Sequence, residues 1–360
     1  MLAIHATHAA EVNFSAAHDF FSESFAGVLL NQIARFCVPV FVMLSGYGLT
    51  KKYGNVLPEE INISWSMDFY RKRFLKIGIP FFFWTVTLLI LLNRFSFSEN
   101  YFDLILQNTL ILLKYLFIKG ADYHFYFFTI ILECYLLYPL LLKFRGNILF
   151  SGIIFVHLIY IYPATISSYT GISLIHFPSS FIVSWLVYFY IGILSADSRI
   201  EKKIKSIPVP AAVLMYVPAL MYVLYEYVSR SLKEGNPDYF NHFNRLSVFL
   251  YAVSFWILFI RMDLLIEASM KFFNSGKIVG YLAGLSFGVY IYHTMLLRFL
   301  NYLFPGESLI IIPLLVMQSF LLMIFLDRVV KGNMLRIVTG LPEESPDIKF
   351  NLLTRKYVQR

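Results

Sequence analysis

Four histidines stand where a proton could be moved. His5 and His8 lie three residues apart at the end of an opening apolar stretch, so both fall on one helical face. His124 opens another apolar run, and His293 lies toward the end of a third. Imidazole, with an unperturbed pKa near 6.5, suits proton abstraction from a hydroxyl near neutral pH. A wetted interfacial pair would show the same spacing. Imidazole also ligates zinc, but no Cys or carboxylate pattern accompanies these residues, and no metal is expected. Cys37 and Cys134 both sit inside apolar runs and suggest neither a disulfide framework nor a metal site.

The charged residues inside apolar runs come next. Arg35 stands about nine residues into its run, which at 1.5 Å per residue is roughly 12–14 Å deep. Glu133 stands at a similar depth in another run. A buried ion pair between them is one reading; a cation holding an acyl carbonyl or a phosphate is the other, and the two are compatible. Lys51, Lys52, Arg71, Lys72, Arg73 and Lys76 form a basic cluster between runs. It can set topology, attract anionic head groups, or hold the phosphates of a cofactor. Ser45-Gly46-Tyr47-Gly48 and Ser286-Phe287-Gly288 read as close helix contacts. Trp84 and Trp185 read as lipid-facing or belt residues, and His157 as a hydrogen-bonded packing residue.

What must position these residues is a membrane bundle. Of 360 residues, 58% are hydrophobic and 14% charged, against about 45–50% and about 25% for soluble domains; mean hydropathy is +0.66. A soluble globular protein is excluded. Apolar runs cover about 26–49, 77–93, 125–142, 148–163, 181–196, 207–225, 246–260, 278–297 and 309–326. Residues 1–10 look like the end of one more helix, so about 10–20 further apolar residues are expected upstream. Residues 101–118 are apolar but broken by Asp103, Gln107, Asn108 and Lys114, as in an interfacial helix. With that segment outside the bilayer, 22 of the 30 Lys and Arg fall in inner segments and seven in outer ones. The bias places both ends in the cytoplasm. The net charge of +8 then reads as membrane orientation rather than a nucleic-acid patch. The predicted fold is all-α: a polytopic bundle of about ten transmembrane helices, the first truncated, over 1–330, with a cytoplasmic tail over 331–360. In it His5, His8, His124 and His293 share one depth near the outer face.

Four stretches, in order, carry a family resemblance. They are Arg35-Phe-Cys-Val-Pro39-Val-Phe41-Val-Met-Leu-Ser45-Gly46-Tyr47 and Phe69-Tyr70-Arg71-Lys72-Arg73-Phe74-Leu-Lys76-Ile-Gly-Ile-Pro80, then Tyr123-His124-Phe125-Tyr126-Phe127 with Tyr135-Leu-Leu-Tyr-Pro139, and Leu285-Ser286-Phe287-Gly288-Val289-Tyr290-Ile291-Tyr292-His293. Over about residues 1–330 the chain resembles the membrane-bound acyltransferase-3 family, especially its surface-polysaccharide O-acyltransferases. The resemblance implies a multi-pass enzyme of the bacterial plasma (inner) membrane. Such an enzyme moves acetyl or a related acyl group from cytoplasmic acyl-coenzyme A to a hydroxyl of a surface glycan or its lipid-linked precursor. The partners it implies are membrane lipid, the glycan acceptor and acyl-coenzyme A; no metal and no nucleic acid are expected. His5 matches the family's histidine at the end of helix one. Arg73 with Lys76 matches its cytoplasmic Arg-x-x-Arg pair, with Lys in second place. His124 stands where the family has His-x-Trp-Phe-Leu, with Tyr126 in place of Trp. The family's first-helix Arg, eleven residues before the histidine, would precede Met1.

Under this reading His5 is the base, and His124 and His293 support it or bind the acceptor. Arg73, Lys76 and Arg71 bind acyl-coenzyme A, while Arg35 and Glu133 line a polar core through the bundle. Tyr169, His176, Asp238, Tyr239 and His242, in loops, could touch a glycan. The rival from another class is a polytopic transporter or exporter of a polysaccharide or lipid-linked sugar, which would use intramembrane polar residues equally well. Transporter folds often carry internal repeats, and none is visible. A third is a non-catalytic relative.

Overall fold

The computed structural model describes residues 2–7, 22–95, 100–170, 181–234, 243–272, 276–305 and 308–342. Among them every regular element is a helix. α1 (Leu2–Ala6) precedes α2 (Glu23–Ile33), which passes through a 3-10 turn (Ala34–Phe36) into α3 (Cys37–Tyr53). α4 (Ile63–Arg73), a π-helical turn (Phe74–Gly78) and α5 (Ile79–Leu91) form one continuous stretch. Then come α6 (Tyr101–Lys114) with a second π turn (Tyr115–Lys119), α7 (Tyr126–Lys143), α8 (Asn147–Thr170), α9 (Val183–Ser195) and α10 (Ser198–Ser206). The chain continues with α11 (Val209–Glu234), α12 (Leu246–Arg261), α13 (Asp263–Phe272), α14 (Gly276–Leu303), α15 (Ser308–Val329) and α16 (Asn333–Thr339).

Six stretches are long and apolar enough to cross a membrane: Glu23–Tyr53, Ile63–Leu91, Tyr126–Lys143, Val209–Ser229, Gly276–Leu303 and Leu309–Val329. Leu246–Arg261 with Leu265–Lys271 makes a bent seventh. The shorter apolar helices Asn147–Pro163 and Val183–Ser195, together with α1, bring the bundle to about ten. The segment carrying Asp103 and Lys114 is helical but outside the crossing set. Large apolar side chains such as Leu214, Met221 and Tyr225 on α11 and Leu321 and Phe325 on α15 are exposed. A surface of that kind belongs in lipid.

Local chemistry fixes the helix ends and bends. Ser22 caps α2 by accepting from Phe25 N at 3.2 Å, and Asn62 caps α4 by accepting from Trp65 N at 3.0 Å. Pro80 has no N–H to return to the preceding turn, and the helix widens into its π turn just before it.

The core lies between α3, α7, α9 and α12, with Trp185, Tyr138, Phe189 and Trp256 wholly inside. α3 and α9 touch backbone to backbone. A Cβ on Gly46 would lie 2.2 Å from the Phe189 carbonyl oxygen, and one on Gly192 would lie 2.0 Å from that of Met43. The small-residue reading of Ser45-Gly46-Tyr47-Gly48 holds at Gly46; a Cβ on Gly48 would meet nothing within 4 Å.

Candidate functional site

Three imidazoles meet at one end of the bundle. His5, on α1, stacks on His293 of α14 with ring centroids 5.2 Å apart and 29° between planes. His124, in the turn before α7, lies edge-on to His293 at 4.9 Å and to His5 at 6.5 Å. Tyr123 covers His5 edge-on at 4.8 Å. Gly120 makes the delivery of His124 possible. Its φ is +70°, and a Cβ there would press on Phe125 C and Tyr126 N at 2.7 Å.

The three rings differ in surroundings. His5 is half-buried, whereas His124 and His293 are closed off. His293 Nδ1 lies 2.8 Å from the Tyr290 carbonyl oxygen. A carbonyl only accepts, so Nδ1 carries the proton and Nε2 the lone pair. That Nε2 is buried with no hydrogen-bond partner, and so are both ring nitrogens of His124. Burial, then the neighbouring His293 and His5, holds the His124 pKa well below 6.5, so the ring is neutral. Among the described residues, no three His, Cys, Asp or Glu side chains are placed to share a metal ion.

Asp122 stands behind His124, its Oδ2 3.8 Å from His124 Nδ1. Arg298 Nη2 reaches both carboxylate oxygens at 2.8 Å, and Thr294 donates to Oδ2 at 3.1 Å. Tyr290 donates to the His124 carbonyl, pinning the turn to α14. On the other side, Asn31 Nδ2 donates to the Ile4 carbonyl and to Thr7 Oγ1, both at 3.1 Å, holding the end of α1 that carries His5. Gln32 Nε2 donates to Asn31 Oδ1 at 3.3 Å, and Arg245 Nη2 donates to Gln32 Oε1 at 3.1 Å. Arg245 pairs with Glu226 at 3.4 Å, and Ser247 also donates to that carboxylate. This chain is buried throughout.

The basic end has a different character. Arg73 is half-buried, and its guanidinium faces the rings of Phe69, Tyr53 and Tyr135 at 5.5, 5.8 and 6.0 Å. Its Nη2 donates to Tyr53 Oη at 3.2 Å, and its buried Nε has no hydrogen-bond partner. Arg73 and Lys76 line a cavity of about 250 Å³ with Gly284, Phe287 and Leu341. Arg71 is exposed and is not part of its wall. A second, mostly apolar cavity of about 330 Å³ lies between Phe41, Leu44, Ile131 and Tyr135. Ile77 and Phe287 line both cavities. Tyr290 lines the second, and its hydroxyl donates to the His124 carbonyl, so one side chain stands between this cavity and the histidine turn.

The structure thus brings His5, His124 and His293 together, and Arg73 with Lys76. It does not join Arg35 to Glu133: among the described residues no ion pair links them. Arg35 is buried in the 3-10 turn with its guanidinium 5.6 Å from the Phe243 ring, and Glu133 Oε2 has no hydrogen-bond partner. Among the described residues Arg245 forms a buried ion pair with Glu226 instead. Arg245 was counted among outer-loop charges, because the sequence places it between spans. Asp122 and Arg298 were also missed; the only local signal is Asp122-Tyr-His124, two residues from an imidazole. Trp185 is in the core, and Trp84 Nε1 donates to the Val338 carbonyl at 2.8 Å, so neither is a lipid-belt residue. His157 packs as expected, with Nδ1 3.4 Å from the Val183 carbonyl oxygen. His8, His176, Asp238, Tyr239 and His242 lie outside the described residues.

Fold and site define a polytopic helical membrane protein with an imidazole cluster at one end and a basic cavity at the other. Residues 1–328 match the acyltransferase domain of the acyltransferase-3 family, and the chain belongs to that family. No curated protein and no solved structure matches it. It is therefore a membrane-embedded acyltransferase-family protein.

Proposed function

We propose that the protein transfers an acyl group, acetyl or a close relative, from cytoplasmic acyl-coenzyme A to a hydroxyl of a surface polysaccharide or its lipid-linked precursor. Its place is the bacterial plasma membrane. The observation that carries this reading is the pair of adjoining cavities. Arg73 and Lys76 stand at one end, Tyr290, bonded to the carbonyl of His124, stands at the other, and Ile77 and Phe287 form the shared wall.

The donor fits the basic end on two counts. Arg73 has a buried Nε without a hydrogen-bond partner, and a guanidinium beside a lysine suits phosphates. Arg71, exposed nearby, adds positive charge at the mouth. The mostly apolar cavity then holds the acyl end away from water. At the histidine end His5, the half-buried ring, takes the proton of the acceptor hydroxyl. The acceptor oxygen bonds to the acyl carbon as the thioester C–S bond breaks, and the leaving thiolate takes up a proton. His293 stacks on His5 and keeps it oriented, and His124, edge-on to both rings, supports the base or meets the acceptor. Arg35 and Glu133 are the polar residues a substrate carbonyl or phosphate would meet deeper in the bundle.

The test is a radiolabelled acyl-coenzyme A assay on membranes carrying the full chain, with analysis of the glycan. Label appearing as an ester on glycan is the expected result. Glycan export without acylation would replace this reading with the transporter; neither activity would leave a non-catalytic relative.

A further inference from the structure

The family match ends at residue 328, yet the next fourteen residues turn back onto the bundle. α16 packs against α5. We propose that the segment from Lys331 to Pro342 is a built wall of the basic cavity and that Arg336, which locks it there, is a positioning residue for the donor. This rests on the reading of that cavity as the donor site.

Three helices hold the segment. To α15, Arg336 Nη2 donates to Asp327 Oδ1 at 2.5 Å, and Nη1 donates to the carbonyls of Asp327 and Val330 at 3.3 Å. Tyr281 of α14 donates to the other oxygen of the same carboxylate at 2.9 Å. To α5, Trp84 Nε1 donates to the Val338 carbonyl. To α14, Gly340 comes so close that a Cβ on it would lie 2.8 Å from Gly288 Cα and 2.9 Å from Ile291 Cδ1. Gly340 also has φ +76°, the left-handed conformation that ends α16. Arg336 Nε finally donates to the Pro342 carbonyl at 2.8 Å, closing the loop on itself.

That closure matters because of what the loop faces. Ile337, Gly340, Leu341 and Pro342 line the cavity together with Arg73 and Lys76. Arg336 is buried and its charge is matched by Asp327, so it is not itself a phosphate ligand. What it supplies is the shape of the wall opposite the cations. The helix end alone accounts for the glycine's conformation; its backbone contact with Gly288 and the pairing of buried Arg336 with Asp327 fix the loop against the bundle.

The experiment uses the full chain in open membrane fragments. Ile337→Cys is labelled with a maleimide in the presence and absence of coenzyme A; Cys37 and Cys134 are buried and give little background. Coenzyme A is expected to slow labelling at 337. In parallel, Arg336→Gln and Gly340→Ala are expected to raise the KM for acyl-coenzyme A about tenfold, the equivalent of 1.4 kcal/mol of binding, with kcat nearly unchanged. Arg336→Lys should recover part of the loss. Unchanged labelling at 337 with Arg73→Ala still raising KM would overturn the wall while leaving the donor site standing. Coenzyme A protecting neither Ile337→Cys nor Gly284→Cys, which lines the same cavity with room for a side chain, would overturn both. If the Arg336 variants fail to accumulate, protection at 337 still decides the matter.

Discussion

Two buried polar clusters adjoin at the histidine end and are joined through Asn31 and Gln32, but they are satisfied to different extents. In one, the Glu226 carboxylate accepts from Arg245 and Ser247, and Arg245 reaches on to Gln32. In the other, both nitrogens of His124 and Nε2 of His293 are enclosed without partners. Leaving a buried polar group unsatisfied costs about 1–3 kcal/mol, so the second cluster is the one a fold alone would not keep. On the proposed function, the difference separates a polar group that holds helices together from one that meets the acceptor.

Mutations can break or sharpen that contrast. The largest effect is expected at His5→Ala, with acyl transfer falling about 10²–10⁴-fold, the usual contribution of a positioned base, while membrane level stays near normal. His8→Ala should be milder. If His5→Ala keeps near-normal turnover while His293→Ala loses it, the base is His293 and the roles within the cluster are exchanged. Glu226→Ala is expected to do the reverse. Stranding Arg245 in the interior typically costs about 3–5 kcal/mol, read as a lower Tm in detergent, and the remaining folded protein should keep its specific activity. A lost activity at unchanged Tm would place Glu226 in the chemistry and erase the contrast.

Arg73→Ala should sit between the two, raising KM for acyl-coenzyme A about tenfold with little change in kcat, as for one lost charged hydrogen bond. Equal falls in kcat and kcat/KM would move Arg73 from donor binding to the transition state. The smallest effect concerns pH. The folded chain holds His124 neutral, whereas the denatured chain protonates it near 6.5. Its contribution to stability is therefore intact above that value and is lost as pH falls below it. His124→Asn should flatten the drop in Tm between pH 7.5 and 5. An unchanged slope would mean that this ring is already charged or solvated in the fold.

Hydropathy alone made most of the bundle legible. The run at 26–49 is the heart of the helical stretch Glu23–Tyr53, and 278–297 lies within Gly276–Leu303. Counting residues from each helix entry was enough to put His5, His124 and His293 at one level. It could not pair Arg35 correctly, because equal depth says nothing about which side of a helix a residue occupies. Asp122 and Arg298 escaped notice for another reason: 176 residues separate them, and each alone looks like an ordinary loop charge. Arg245 was hidden by its position between spans, where a cation is usually wet, although here it is enclosed. Arg73 and Lys76 stood out by their match to the family's Arg-x-x-Arg pair; of the rings around Arg73, Phe69 lies one turn before it, but Tyr53 and Tyr135 come from other helices and leave no local trace.

The glycine contact between α3 and α9 bears on how such a bundle can move. Where two backbones touch with only hydrogen between them, neither helix can slide or roll without collision, since even a methyl group would overlap a carbonyl oxygen. That seam is a keel. The contact between α14 and α15 is of another kind, made by the flexible side chain of Met323 standing against Gly288.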